Sequence, residues 1–113
     1  MTRIAEKVGY TMQKFGKYTA ETRSLHGGEQ AYFMFSNKLA VSVVRHEFSY
    51  GTEEGLWEAA VIKYGRLMNI KKLGIEGYED VDDSVIGYMT EEMVEDFLDK
   101  VKKIPSPSKQ NKV

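Results

Sequence analysis

The amino-acid sequence predicts an α+β fold: an antiparallel meander sheet of four to five strands packed against one C-terminal amphipathic helix. Three observations predict it. Between Lys17 and Lys71, runs rich in β-branched and aromatic residues alternate with short turns of Gly, Asn and Ser. Between Thr90 and Pro105, apolar residues recur at helical spacing. The chain has 113 residues, 42% hydrophobic and 29% charged, which is the size and composition of one globular domain. Residues 1–104 are assigned to that domain and residues 105–113 to a disordered basic tail.

In chain order, Ile4, Val8, Met12 and Phe15 have the spacing of a short N-terminal helix. Gly9, Tyr10 and Thr11 favour an extended segment instead, and both readings stay open here. Tyr18 to Arg23 reads as a strand closed by the turn residues His26, Gly27 and Gly28. Gln30 to Phe35 is a second strand and Ser36-Asn37-Lys38 a polar turn. Leu39 to Phe48 has the β-branched content of a third. After a polar loop from Ser49 to Gly55, Leu56 to Tyr64 reads as a central strand, because both of its faces are apolar. Arg66 to Lys71 can return as a short edge strand, and Gly74 to Ser84 is loop-like. Val85 to Tyr88 reads as a buried connector or a last strand.

The helix has the clearest boundaries. Thr90 is a good N-cap, and Glu91 and Glu92 suit the positive end of the helix dipole. Met93, Val94, Phe97, Leu98, Val101 and Ile104 make one apolar stripe. Lys100, Lys102 and Lys103 fall in the last turn, and Pro105 stops the helix. Trp57 is expected to pack beneath it.

Several activities lack their residues. There is no cysteine, so no disulfide and no thiolate site, which fits a cytosolic chain. No apolar run near the start has the length of a signal peptide, and none approaches the ~20 residues of a membrane span. His46-Glu47 matches the opening of a zinc-protease motif, but Tyr50 stands where the second histidine belongs. Glu79, Asp80, Asp82 and Asp83 match no calcium-loop spacing. Gly51 to Gly55 lacks the lysine of a phosphate loop. No nucleophile is paired with a base. The expectation is a non-enzyme without cofactor or metal.

Charge is unevenly distributed. Residues 1–72 carry eleven Lys/Arg and seven Asp/Glu, residues 73–99 carry ten acids and no Lys or Arg, and residues 100–113 carry five lysines. Such asymmetry bears on partners rather than on fold. An acidic face repels nucleic acid and attracts basic grooves; an ordinary solvated face is the alternative.

Two stretches carry a resemblance. They are Phe35 to Gly51 continuing through Glu54 to Val61, and Asp83-Ser84-Val85-Ile86-Gly87-Tyr88-Met89-Thr90-Glu91-Glu92. Over about residues 30–104 the chain resembles a group of small uncharacterised proteins encoded by tailed bacteriophages and prophages. It is longer than that pattern between Arg66 and Asp80, and residues 1–16 are particular to it. The resemblance implies a setting, a bacteriophage protein in the host-cell cytoplasm that acts by binding, and transfers no site.

The expected function is therefore protein–protein contact, blocking a host defence or nucleic-acid enzyme. The expected surface is Glu79, Asp80, Asp82, Asp83, Glu92, Glu95 and Asp99, with Tyr50 as an aromatic anchor. A second reading is a nucleic-acid-binding regulator using Arg23, Lys38, Arg45, Lys63 and Arg66. A third is an oligomer with a small-ligand pocket between subunits. A homodimer through strand edges or helix packing is compatible with each.

Overall fold

The computed structural model describes residues 10–106. Within them lie seven strands: β1 (Tyr10–Phe15), β2 (Tyr18–Leu25), β3 (Gly28–Met34), β4 (Leu39–Arg45), β5 (Trp57–Lys63), β6 (Arg66–Leu67) and β7 (Val85–Met89). One α-helix, α1 (Glu91–Lys102), follows. The strands make an antiparallel meander in the order β1-β2-β3-β4-β5-β6, and β7 pairs with the half of β5 that β6 leaves open. The α+β class holds, with more strands than the four to five expected. The strand with no settled counterpart in the sequence reading is β1, whereas β6 falls in the short edge strand expected from Arg66 and β7 in the connector or last strand expected from Val85 to Tyr88.

Of the two readings left open for the N-terminal stretch, the extended one holds for Met12 and Phe15, which lie in β1. Tyr10 to Phe15 pairs residue by residue with β2. The turn decides the outcome. Gly16, at φ 62°, opens a two-residue hairpin that turns the chain straight back on itself. A side chain there would also run into the Glu95 carboxylate. The rest of that expectation, Ile4 and Val8, lies outside the described residues, as does the expected tail beyond residue 106.

The strand expected from Leu39 to Phe48 stops at Arg45. Local hydrogen bonds win there. Ser49 Oγ accepts from His46 N at 2.9 Å and donates to His46 O at 2.9 Å, while Phe48 N donates to His46 Nδ1 at 3.1 Å.

One face of the sheet is covered by α1. Phe15, Phe33, Val41, Val43, Trp57 and Val61 of the sheet meet Val94, Phe97, Leu98 and Val101 of the helix. Met93, expected in the same stripe, is 41% exposed, because it falls at the edge of the buried arc. The segment from Met68 to Ser84 adds Ile70 and Ile75 to the core and stacks Tyr78 edge-on against Phe97, 5.0 Å between centroids. Trp57 is buried, as expected, with Phe15 5.0 Å away. Its Nε1–H finds no partner among the described residues.

The helix is fastened at both ends and along one side. Thr90 Oγ1 accepts from Met93 N at 3.2 Å, the expected N-cap. At the other end Asn37, only 5% exposed, donates through Nδ2 to Val101 O at 2.9 Å and Ile104 O at 2.7 Å. Its Oδ1 accepts from Leu39 N at 3.1 Å. One amide thus closes the β3–β4 turn and the helix C-terminus together. Along the side, Gln13 donates to Glu91, Lys17 N donates to Glu95, and both Lys17 Nζ (2.9 Å) and Tyr18 OH (2.6 Å) donate to Asp99.

Two outcomes follow. Asn37→Ala leaves helix carbonyls and the Leu39 amide unpaired and buried, so it is expected to cost about 2–4 kcal/mol in urea unfolding. The hydrogen bonds from Tyr18 and then Lys17 hold the Asp99 carboxyl below its ordinary value of 3.8. A depressed carboxylate contributes fully above that value and loses its contribution as pH falls through the lowered one. The stability gap between wild type and Asp99→Asn is therefore expected to close in acid, measured by urea unfolding across a pH series. Alkali tests the same contact. Burial first and the Asp99 carboxylate second raise the Tyr18 hydroxyl to about 12.

Candidate functional site

The loop between β4 and β5 carries the most chemically distinctive surface. Thr52–Glu54 form a single 3-10 turn, and Glu54 N and Leu56 N both donate to Gly51 O, at 3.0 and 2.9 Å. The loop then leans on β7. Tyr88 N donates to Tyr50 O at 3.3 Å, and a methyl group on Gly87 would sit 2.5 Å from Tyr50 Cβ. Only glycine permits that approach. The loop is also tied to β5, because Tyr50 N donates to Glu58 Oε1 at 3.1 Å.

The chain bends sharply beside it. The β5–β7 pairing shifts register between Trp57 and Ala59, and Tyr88 holds φ 56°. A bulky side chain in the left-handed region costs on the order of 1–3 kcal/mol. The bend turns Tyr88 outward, 56% exposed, beside Tyr50 at 59%.

Between the two rings lies a cleft of about 190 Å³, lined by Glu47, Ser49, Tyr50, Gly51, Thr52, Glu53, Glu54 and Tyr88. It is lined by two tyrosine rings and by Glu53 and Glu54, while the Glu47 carboxylate turns toward Gly27, and among the described residues no lysine or arginine lines it. Ring faces and carboxylates both attract a cation. The nearest guanidinium is engaged elsewhere. Arg45 donates to Glu29 at 2.7 Å and to Gly55 O at 3.1 Å, and lies 4.1 Å from the centre of the Trp57 ring. A second hollow of about 400 Å³, lined by Arg45 and His46, adjoins the cleft and shares Glu47 and Thr52 with it; His46 stands edge-on to His26, with ring centroids 5.2 Å apart. Among the described residues no group of His, Cys, Asp or Glu could hold a metal ion.

The acidic residues singled out from sequence do not form one surface. Asp99 and Glu95 are engaged with the β1–β2 hairpin, as above. Asp96 is bonded by Tyr78 OH at 3.0 Å and paired with Lys100 at 3.2 Å. Glu79, Asp82 and Asp83 are exposed; Glu79 and Asp83 accept local bonds from Gly77 N and Ser84 N, and Asp82 accepts from Asn69 Nδ2 at 3.0 Å. They sit with Asp80 on the segment that packs beside the C-terminal half of α1. Glu92 is exposed on the first turn, about one to two helical turns from where that segment meets α1 at Asp96 and Lys100. The continuous negative face is thus divided, and lysines stand within it. Tyr50 alone of the expected set lines the cleft. Glu47, Glu53 and Glu54 were missed because they lie outside the acidic span, and Tyr88 because only the fold brings it to Tyr50.

Of the basic residues, Arg23 Nε donates to Gln30 Oε1 at 3.0 Å. Lys38, Lys63 and Arg66 share the opposite end of the sheet, since Leu39 pairs with Lys63 and Lys63 with Arg66. No helix among the described residues is long and apolar enough to cross a membrane. Comparison with family models, with curated proteins and with solved structures returns no match.

If the Tyr88 bend is maintained for its ring rather than for stability, Tyr88→Gly should be neutral to about 1 kcal/mol stabilising. Thermal unfolding measures it. A large loss of stability would show that the ring is structural.

Proposed function

We propose that this chain is a small binding protein that takes a cationic side chain of a basic partner protein into the Tyr50–Tyr88 cleft. The observation that carries the reading is the lining itself: two exposed rings with Glu53 and Glu54, and no basic residue among the described ones. A lysine or arginine entering it gains ring-face and carboxylate contacts together, and long-range attraction speeds its encounter. Rim charges steer, whereas the tyrosines supply contact area and anchor. The bacteriophage resemblance supplies the setting, an accessory protein that acts by occupying a host or phage protein. A nucleic-acid enzyme or a defence factor with a basic groove is the matching class of target. The acids at 79–83 act in this reading as a secondary field rather than as the contact.

The test is an NMR titration with a short peptide of alternating arginine and lysine. Resonances of Tyr50, Gly51 and Tyr88 are expected to move, and affinity to fall as salt rises. Glu53→Lys with Glu54→Lys should abolish the shifts, whereas Asp82→Lys with Asp83→Lys should reduce affinity only slightly. Equal binding by both double variants would refute the cleft.

One arrangement favours the nucleic-acid reading. Lys38, Lys63 and Arg66 gather around Tyr64, which is 71% exposed at the tip of the β5–β6 turn. A basic patch around a ring suits a single strand. A gel shift at low salt that Lys63→Glu removes would support it; no shift at low salt would dismiss it.

A further inference from the structure

The face of the sheet opposite α1 is covered by no element among the described residues. Strand alternation places Gln30, Tyr32 and Met34 of β3 on it, beside Val44, Ser42 and Ala40 of β4. Apart from Glu58, the outward positions of β4 and β5 are small or apolar, Ala40, Ser42, Val44, Ala60 and Ile62, where a solvated antiparallel face carries polar side chains. Relief accompanies this composition. Tyr32 and Met34 are 47% and 71% exposed, while Ser42 and Ala40, paired directly across from them, are 8% and 3%. A ridge on β3 therefore lies alongside a trough on β4. A ridge and trough side by side fit their own image under a two-fold axis parallel to the strands. That rotation lays β3 of each copy over β4 of the other.

Charge obeys the same symmetry. Arg23 on β2 and Glu58 on β5 stand one strand outside the ridge and the trough. They occupy one cross-strand row, Arg23 to Gln30, Gln30 to Val44 and Val44 to Glu58. Among the described residues Arg23 has no carboxylate partner and Glu58 no cationic one. Beside Arg23 a hollow of about 350 Å³ opens between Glu21, Gln30 and Tyr32. The rotation that seats the ridges carries Glu58 of the second copy to that hollow. The six strands of the meander, about 4.8 Å apart and two to eight residues long, present roughly 600 Å² per copy, against the roughly 800 Å² per partner of a stable interface.

We propose that the chain forms a two-fold homodimer through this face. The ridge of each copy sits in the trough of the other, and the Arg23–Glu58 pair is made twice across the contact. The two sheets pack face to face as in a sandwich, about 10 Å apart. The dimer is argued without the cleft reading, although Glu58 borders both, since it also accepts from Tyr50 N.

Sedimentation equilibrium on the full chain tests it. A mass of two chains is expected. Arg23→Glu and Glu58→Arg should each weaken dimerisation roughly ten-fold or more, and the two together should restore it. Ser42→Arg fills the trough and should yield a monomer that still unfolds cooperatively on heating. A monomeric wild type at about 100 μM, where even a weak specific dimer would be populated, overturns the proposal. So does a dimer that Ser42→Arg leaves intact, since contact through the β1 edge or α1 would survive that change. Peptide binding by the Ser42→Arg monomer keeps failure of the dimer separate from failure of the cleft.

Discussion

One buried amide holds the two layers of this fold in register. Asn37 sits in the turn between two central strands, yet most of its hydrogen bonds go to the end of the helix. A helix leaves its last carbonyls without intrahelical partners, and a buried helix end must find them somewhere. Here the sheet provides them. The position of α1 along the sheet axis is thereby fixed at its C-terminus, and its rotation is fixed by Glu91, Glu95 and Asp99 reaching the first hairpin. Apolar contact between the layers is large but non-directional. The polar fastenings choose one placement among the many that would bury the same surface.

Those fastenings also reassign the acidic residues. In a linear reading, ten acids without a basic residue among them look like a surface. In the fold, Lys17 reaches Asp99 from the other end of the chain and Lys100 reaches Asp96 from the next turn. A charge run is local in sequence, whereas its neutralisation is not. The same reasoning makes the cleft at Tyr50 notable. Arg45, near it, is held by Glu29 and by the Trp57 ring, so Glu53 and Glu54 stand there with no basic residue in the lining among the described residues.

The layers were legible in the sequence because each had a local signature. Period-two runs gave the central strands, a Thr90 cap and a 3.6-residue stripe gave the helix, and Trp57 was assigned to the core. What was illegible depended on pairing. Tyr10 to Phe15 has a helical spacing of apolar residues and becomes a strand because β2 is there to pair with it. Leu39 to Phe48 has a β composition throughout and ends early because Ser49 and His46 bond to each other. Of the cleft, only Tyr50 was visible. Tyr88 reaches it through a register shift and a left-handed residue, neither of which has a one-dimensional signature, and Glu53 and Glu54 looked like ordinary hairpin residues.

Trp57 gives the molecule a built-in optical probe. It is the chain's one tryptophan, so all indole emission comes from a single place. That ring is shielded from water, touches Phe15 on the first hairpin and carries the Arg45 guanidinium against its face. A cation at 4.1 Å shifts the excited-state energy of an indole, and its withdrawal shifts it back. The colour of the fluorescence therefore registers whether Arg45 stays folded onto the ring, without a label and at the end of the sheet where the two tyrosines meet.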